Sequence, residues 1–164
     1  MSDITSIDQT YRLYSNGQTY GIEIGKFTCL APDTNAYADG CNIPSGANGL
    51  FLGIAQESII PNSMADYSGG QYTITSGTAW PAGSIPVDSK GRNVRVRQFG
   101  ISRVVAAGQI TRNDLLIIAD VYGRAETCPA VGATTYNVIG RALDAATNSG
   151  DVIRVLVAPF TYKA

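Results

Sequence analysis

Short runs of Val, Ile, Thr and Tyr, each cut off within a few residues by Gly, Asn, Asp, Ser or Pro, recur along the whole chain. β-Branched and aromatic side chains favour a pleated backbone, and the interrupting residues are those that turns demand. The spacing predicts strands over residues 19–24, 26–31, 50–56, 71–75, 93–98, 101–106, 115–119, 136–143 and 152–157. The clearest is NVRVRQ at 93–98, where Val94 and Val96 point one way and Arg95 and Arg97 the other. The run Leu115, Leu116, Ile117, Ile118, Ala119 is apolar throughout, which suits a strand buried on both faces. Helical signals are weak. LDAAT at 143–147 is stopped by Asn148, Ser149 and Gly150, and 58–64 is interrupted by Pro61. An all-β architecture with one or two short helical turns is expected.

The 164 residues amount to about one domain, and 45% apolar against 15% charged residues gives enough surface to bury. We expect an extended N-terminal arm with the first strand over 1–26, and a single β domain over 27–164. Residues 2–16 hold too few apolar side chains to form a core alone, so this segment is expected to order on a partner by strand addition. Its deletion is then expected to leave a folded protein.

An internal echo runs through the chain. At an offset of 87 positions, Asp33 falls on Asp120, Ala38 on Ala125, Cys41 on Cys128, Gly53 on Gly140 and Ala55 on Ala142. A duplicated β-unit and chance similarity between two Gly/Ala-rich β segments both account for this.

The composition removes several chemistries. The chain has no histidine, so the usual general base near neutral pH and the commonest metal ligand are missing. Its three cysteines, Cys29, Cys41 and Cys128, form no CxxC pair, so neither a zinc ribbon nor a disulfide framework is expected. They read as small buried side chains, or, for Cys41 and Cys128, as an inter-subunit disulfide formed under oxidising conditions. Asp114 and Asp120 flank the strand at 115–119, about 20 Å apart at strand rise, whereas carboxylate pairs work within about 10 Å. They fit turns. No GxSxG elbow, phosphate-binding glycine loop or Asp-rich calcium loop occurs. A carboxylate hydrolase using Asp33, Glu57 or Asp66 has no recognisable motif. The net charge of −1 gives no basic footprint for nucleic acid. No apolar run is long enough for a membrane helix, and the polar opening MSDITSIDQT predicts no secretory signal. The expectation is no catalytic residue, cofactor, metal, nucleic acid or membrane.

Candidate contact residues remain. Ile4, Ile7, Tyr11, Leu13, Tyr14 and Tyr20 punctuate the polar N-terminal segment, and Trp80 sits in the Gly/Pro-flanked SGTAWPAGS. Aromatic residues of this kind anchor protein interfaces, and they also stack on sugars. A surface domain recognising host-cell glycans through Trp80 and the tyrosines is therefore the alternative reading.

Two stretches carry a family resemblance: VDSKGRNVRVRQFGISRVVAAGQITRNDLLIIADVYGRAE at 87–126 and YNVIGRALDAATNSGDVIRVLVAP at 136–159. Together they resemble the capsid decoration, or cement, proteins of tailed bacteriophages. The matching positions are Gly100, Ile110, Asp114, Asp120, Gly123, Arg124, Gly140, Ala142, Ala145, Gly150, Asp151 and Val155, with GTAW at 77–80. The resemblance spans roughly 50–157 and rests on turn and small core residues. It implies a compact β-tulip or barrel-like domain without catalysis. It also implies a homotrimer bound to the major capsid protein on the outer surface of the virion head and made in the host cytoplasm. The N-terminal segment 1–26 and the three cysteines depart from the pattern.

Overall fold

The computed structural model describes residues 6–13, 25–33, 40–58, 93–130 and 134–163. The fold is all-β. Nine strands run in the order β1 (Ile7–Leu13), β2 (Cys29–Pro32), β3 (Gly40–Asn42), β4 (Gly53–Ala55), β5 (Asn93–Val105), β6 (Leu115–Ile118), β7 (Ala125–Thr127), β8 (Thr135–Ala142) and β9 (Val152–Lys163), with no helix among the described residues. The expected strands at 19–24 and 71–75 lie outside the described residues.

β5 is the spine. Over its 13 residues, buried Val94, Val96, Gly100, Ser102 and Val104 alternate with outward-facing odd-numbered residues, with half-buried Gln98 breaking the series. Sequence spacing divides this stretch at Phe99 and Gly100. The chain instead continues, because Gly100 adopts a φ of 96° that a side chain would resist. The pairing partners change there. Residues up to Phe99 pair with β1 and with β4, and residues from Gly100 on pair with β9.

Two closed rings result. The first is β1–β3–β2–β4–β5, closed by β1 returning to β5. The second is β5–β9–β8–β6–β7, closed where the end of β5 meets β7 in a parallel bridge, Ala106 to Ala125. The Ala107 N–H donates to the Ala125 carbonyl at 2.8 Å. Two five-stranded barrels thus share one strand.

The rings repeat each other in detail. Leu13 opposite Cys41 in the first corresponds to Ala106 opposite Ala125 in the second. Ala55 opposite Val96 corresponds to Ala142 opposite Val155. The Phe27 N–H reaches the Ala55 carbonyl at 2.9 Å, as the Asn113 N–H reaches that of Ala142 at 2.9 Å. Both donors sit at positive φ, 67° and 76°. A Cβ on Gly53 would strike Val96 and the Arg97 carbonyl, and one on Gly140 would strike the Leu156 carbonyl. The repeat seen in sequence is therefore present in topology, hydrogen bonding and close packing. Its expected register holds at Gly53/Gly140 and Ala55/Ala142 but not over the preceding hairpin, where Asp33 corresponds to Ala119 and not to Asp120. The hairpin closed by Asp33 N–H on the Gly40 carbonyl spans 34–39, while its counterpart, Ala119 N–H on the Arg124 carbonyl, spans only 120–123. The shorter loop shifts the third strand, so Cys41 corresponds to Ala125 and not to Cys128.

Two further expectations change. The stretch 143–147 is not helical: the Leu143 N–H donates to the Arg154 carbonyl at 2.9 Å, and Ala146 bridges Ile110. Five residues are too few to nucleate a helix against those strand partners. The segment 2–16 is not wholly a free arm, since Ile7–Leu13 is β1 and closes the first barrel against β3 and β5. Deleting 2–16 would remove that strand. The strand escapes periodicity because over Ile7–Arg12 Tyr11 joins the core while Ile7, Asp8, Gln9, Thr10 and Arg12 are exposed.

The core follows the rings. Tyr11, Leu30, Cys41, Ala55, Val94 and Val96 fill the first barrel. Their counterparts Val104, Leu116, Ala125, Ala142, Ile153 and Val155 belong to the larger cluster of the second, which Cys29 and Ile54 of the first barrel also enter. The barrels are thereby packed together, at roughly 2 kcal/mol of transfer free energy for each fully buried aliphatic side chain.

Candidate functional site

The site lies on the outer face of the seam, where β5 passes from one barrel to the other. Strand alternation turns Arg97, Ile101 and Arg103 outward on β5, and Arg154 outward on β9 directly opposite Arg103. With Phe27, Gln56 and Ser102 they line a cleft of about 250 Å³. Neither barrel alone supplies this set. Phe27 and Gln56 come from chain flanking β2 and β4, and Arg154 comes from the second barrel.

Each polar group has a distinct state. Arg97 donates from Nε to Asp8 Oδ1 at 2.6 Å and from Nη2 to Asp8 Oδ2 at 2.9 Å, a two-pronged pair across β1 and β5. Its Nη1 reaches the Ile101 carbonyl at 2.5 Å. The hydrogen bonds from Arg97 hold the Asp8 carboxyl below its ordinary range, and Asp8 raises Arg97 in turn. Arg154 forms a similar two-pronged pair with Asp144, at 2.8 Å on each prong, and its backbone N–H adds a third bond to that carboxylate at 3.2 Å. These hydrogen bonds pull Asp144 down to about 2. Arg103 makes no ion pair among the described residues. Its guanidinium lies 5.8 Å from the centre of the Phe27 ring, on which Lys26 also sits at 5.0 Å. Gln56 Nε2 donates to Ser102 Oγ at 2.9 Å, which fixes the floor.

Apolar surface continues along β5 from the cleft. Ile101, which lines it, is 40% exposed, and on the same strand face Phe99 pairs across strands with Ile7, the two 43% and 53% exposed. Among the sequence candidates, Ile7 thus belongs to this exposed band. Tyr11 does not: it is buried in the first barrel at 6% exposure, accepts from Gln98 Nε2 at 2.6 Å, and donates to Gln9 Oε1 at 3.1 Å. Burial raises its phenol. Leu13 ends β1. Ile4, Tyr14, Tyr20 and Trp80 lie outside the described residues. Cys41 is sealed in the first barrel, where burial pushes its thiol up to about 12. Cys128 is buried in a separate cluster with Ile117 and Val138, and all three cysteines are free thiols. Neither thiol proposed for an inter-subunit bridge is on open surface.

Of the acidic residues weighed as catalytic groups, Asp66 lies outside the described residues, and Asp33 accepts from Asn42 Nδ2 at 3.1 Å. Asp114 accepts from the Thr111 N–H and the Thr127 hydroxyl, each at 2.9 Å. Asp120 accepts from the Tyr122 and Arg124 N–H groups and pairs with the Arg124 guanidinium at 2.6 Å. Glu57 accepts from the Arg95 N–H at 2.7 Å, just as Asp144 accepts from the Arg154 N–H. The cleft itself escaped sequence reasoning. Arg97 reads as the charged outer face of a strand, and no spacing in the sequence joins it to Arg103, Arg154 or Phe27.

No known family profile matches the chain, and no characterised protein matches it by sequence. Among solved structures, it is similar to the head fiber gp8.5 N base of bacteriophage phi29, with 17% identity and a TM-score of 0.45 over 94% of this chain and 95% of that one.

Proposed function

We propose that this chain is a non-catalytic structural protein that binds the outside of an expanded icosahedral phage head and stabilises the lattice by bridging capsomers. The observation that carries the reading is the exposed apolar set at the seam, Ile7 and its cross-strand partner Phe99, with Ile101 on the same face of β5. Clustered exposed apolar side chains rimmed by arginines are the composition of a protein-binding surface. The resemblance to capsid decoration proteins over roughly 50–157 supports the same reading. Its matched residues Asp120, Gly123, Gly140 and Asp151 build turns and close approaches, which is what a shape-presenting scaffold needs.

In this reading the protein acts as a homotrimer on the major capsid protein. Each contact is modest, and simultaneous engagement of neighbouring capsomers raises the overall affinity through effective concentration. The test is co-sedimentation of the purified protein with undecorated, expanded heads, counting bound copies. Saturable binding in multiples of three, with heads that withstand heating better, supports the role. Folded protein left entirely in the supernatant refutes it.

A further inference from the structure

We infer that the cleft at the seam is a receptor for a single carboxylate side chain presented by a partner protein, with Arg103 as its anchor. The inference deepens the docking reading above and rests on it for the partner's identity, though not for the chemistry.

Size is the first argument. Pockets for whole small molecules usually run from about 300 Å³ upward. At about 250 Å³ the cleft suits one side chain. Charge is the second. Arg97 is committed to Asp8, Arg154 to Asp144, and Arg103 to no acid among the described residues. One carboxylate would pair with the Arg103 guanidinium, whose planar fork offers it two parallel N–H donors, and Lys26 over the Phe27 ring adds a second cation beside it. A phosphodiester chain would bring several negative charges close to Asp8 and Asp144, so the cleft disfavours nucleic acid. Surroundings are the third. Phe99 and Ile101 lie on the same strand face as Arg103, giving the residues beside the carboxylate an apolar bed.

Phe27 supplies independent support. It holds a left-handed backbone at φ 67° where its counterpart in the second barrel is Asn113 at φ 76°. Asparagine adopts that region readily, and a bulky aromatic residue seldom does. The strain is unnecessary for the turn, since the second barrel makes the same turn without it. It does place an aromatic wall in the cleft, packed on the larger core and facing the Arg103 guanidinium.

The test is a titration of the isotope-labelled full chain, followed by amide NMR, with acetyl-Ala-Glu-Leu-amide, its Gln analogue and inorganic phosphate as separate probes. The Glu peptide should shift the amides of Phe27, Gln56, Ser102 and Arg103 saturably, and the Gln peptide should not. Arg103→Gln should weaken binding roughly tenfold, the usual size of a lost charge-assisted bond. Arg103→Lys should retain part of it, and Arg112→Gln should leave it unchanged. Equal response to the Gln peptide, indifference to Arg103→Gln, or stronger shifts with phosphate than with the Glu peptide would each overturn the inference. Because no shell is present, peptide binding without head binding would refute the docking reading alone.

Discussion

The two barrels run the same course with different side chains. Their shared features are backbone features: a positive-φ turn before the second strand, a glycine pressed on the fifth strand, and the same hydrogen bonds closing the hairpin. Their six paired core positions differ in three notable ways. Tyr11 stands where the second barrel has Val104, Cys41 where it has Ala125, and Val94 where it has Ile153. A phenol is tolerated because Gln98 and Gln9 satisfy its hydroxyl. The topology is thus held by a few steric requirements, and side chains are free to diverge around them. Tyr11, Cys41 and Val94 stay inside the first barrel, whereas Phe27, where the second barrel has Asn113, lines the cleft.

The glycine contact should separate the barrels most sharply. Gly140 combines φ 154° with an approach to the Leu156 carbonyl that no side-chain movement relieves. Gly140→Ala is expected to cost about 4 kcal/mol or more in urea unfolding. Gly53→Ala meets the movable Val96 as well as the Arg97 carbonyl at 2.7 Å, so it should cost less. Equal losses would show that both glycines face the same constraint.

Leu30 and Leu116 are equivalent and almost wholly buried. Each, changed to Ala, should cost about 3 kcal/mol, with an unaltered denaturant slope and one transition. The shared β5 makes the barrels one cooperative unit. Two resolved transitions in Leu30→Ala would break that unity and show that the first barrel melts alone.

Exchanging the third-strand pair tests the corrected register. Cys41→Ala gives the first barrel the residue of the second and should cost about 1 kcal/mol, the loss of a small buried group. In the unmodified protein, Cys41 should resist a thiol reagent at pH 8 until the chain unfolds, because its thiol is held protonated. Labelling of the native state at the rate of a free thiol would show that the first barrel opens far more readily than its packing implies.

The smallest contrast is electrostatic. Asp144 pairs with the guanidinium of Arg154, whereas its counterpart Glu57 receives only a backbone N–H from Arg95 in the corresponding contact. Because the folded Asp144 carboxyl lies at about 2, below its ordinary 3.8, its stabilisation is fully present above about pH 4 and fades as pH falls toward 2. Asp144→Asn should therefore differ from the parent protein above pH 4 and converge with it in acid. Parallel pH profiles would mean the pair contributes nothing.

Much of this fold was legible in the order of residues. Period-two alternation marked the first half of β5, β-favouring runs between turn residues marked β8 and β9, the apolar run marked β6, and the repeated Gly53 and Gly140 pointed to the tandem unit. The strands β1, β3 and β7 were not legible, and the physical reason is common to them. They are polar or only three to seven residues long, and they form because neighbouring strands leave hydrogen-bonding edges that need partners. The cleft was hidden for a related reason. Arg97 reads as the outer face of a strand, Arg103 and Arg154 carry no local mark, and alternation fixes only which side of a sheet a residue takes. Which arginines meet, which carboxylates neutralise them, and that Phe27 stands beside the one left over depend on two barrels sharing a strand. Local backbone preference set the long strands, and long-range pairing recruited the short ones and decided what they bring together.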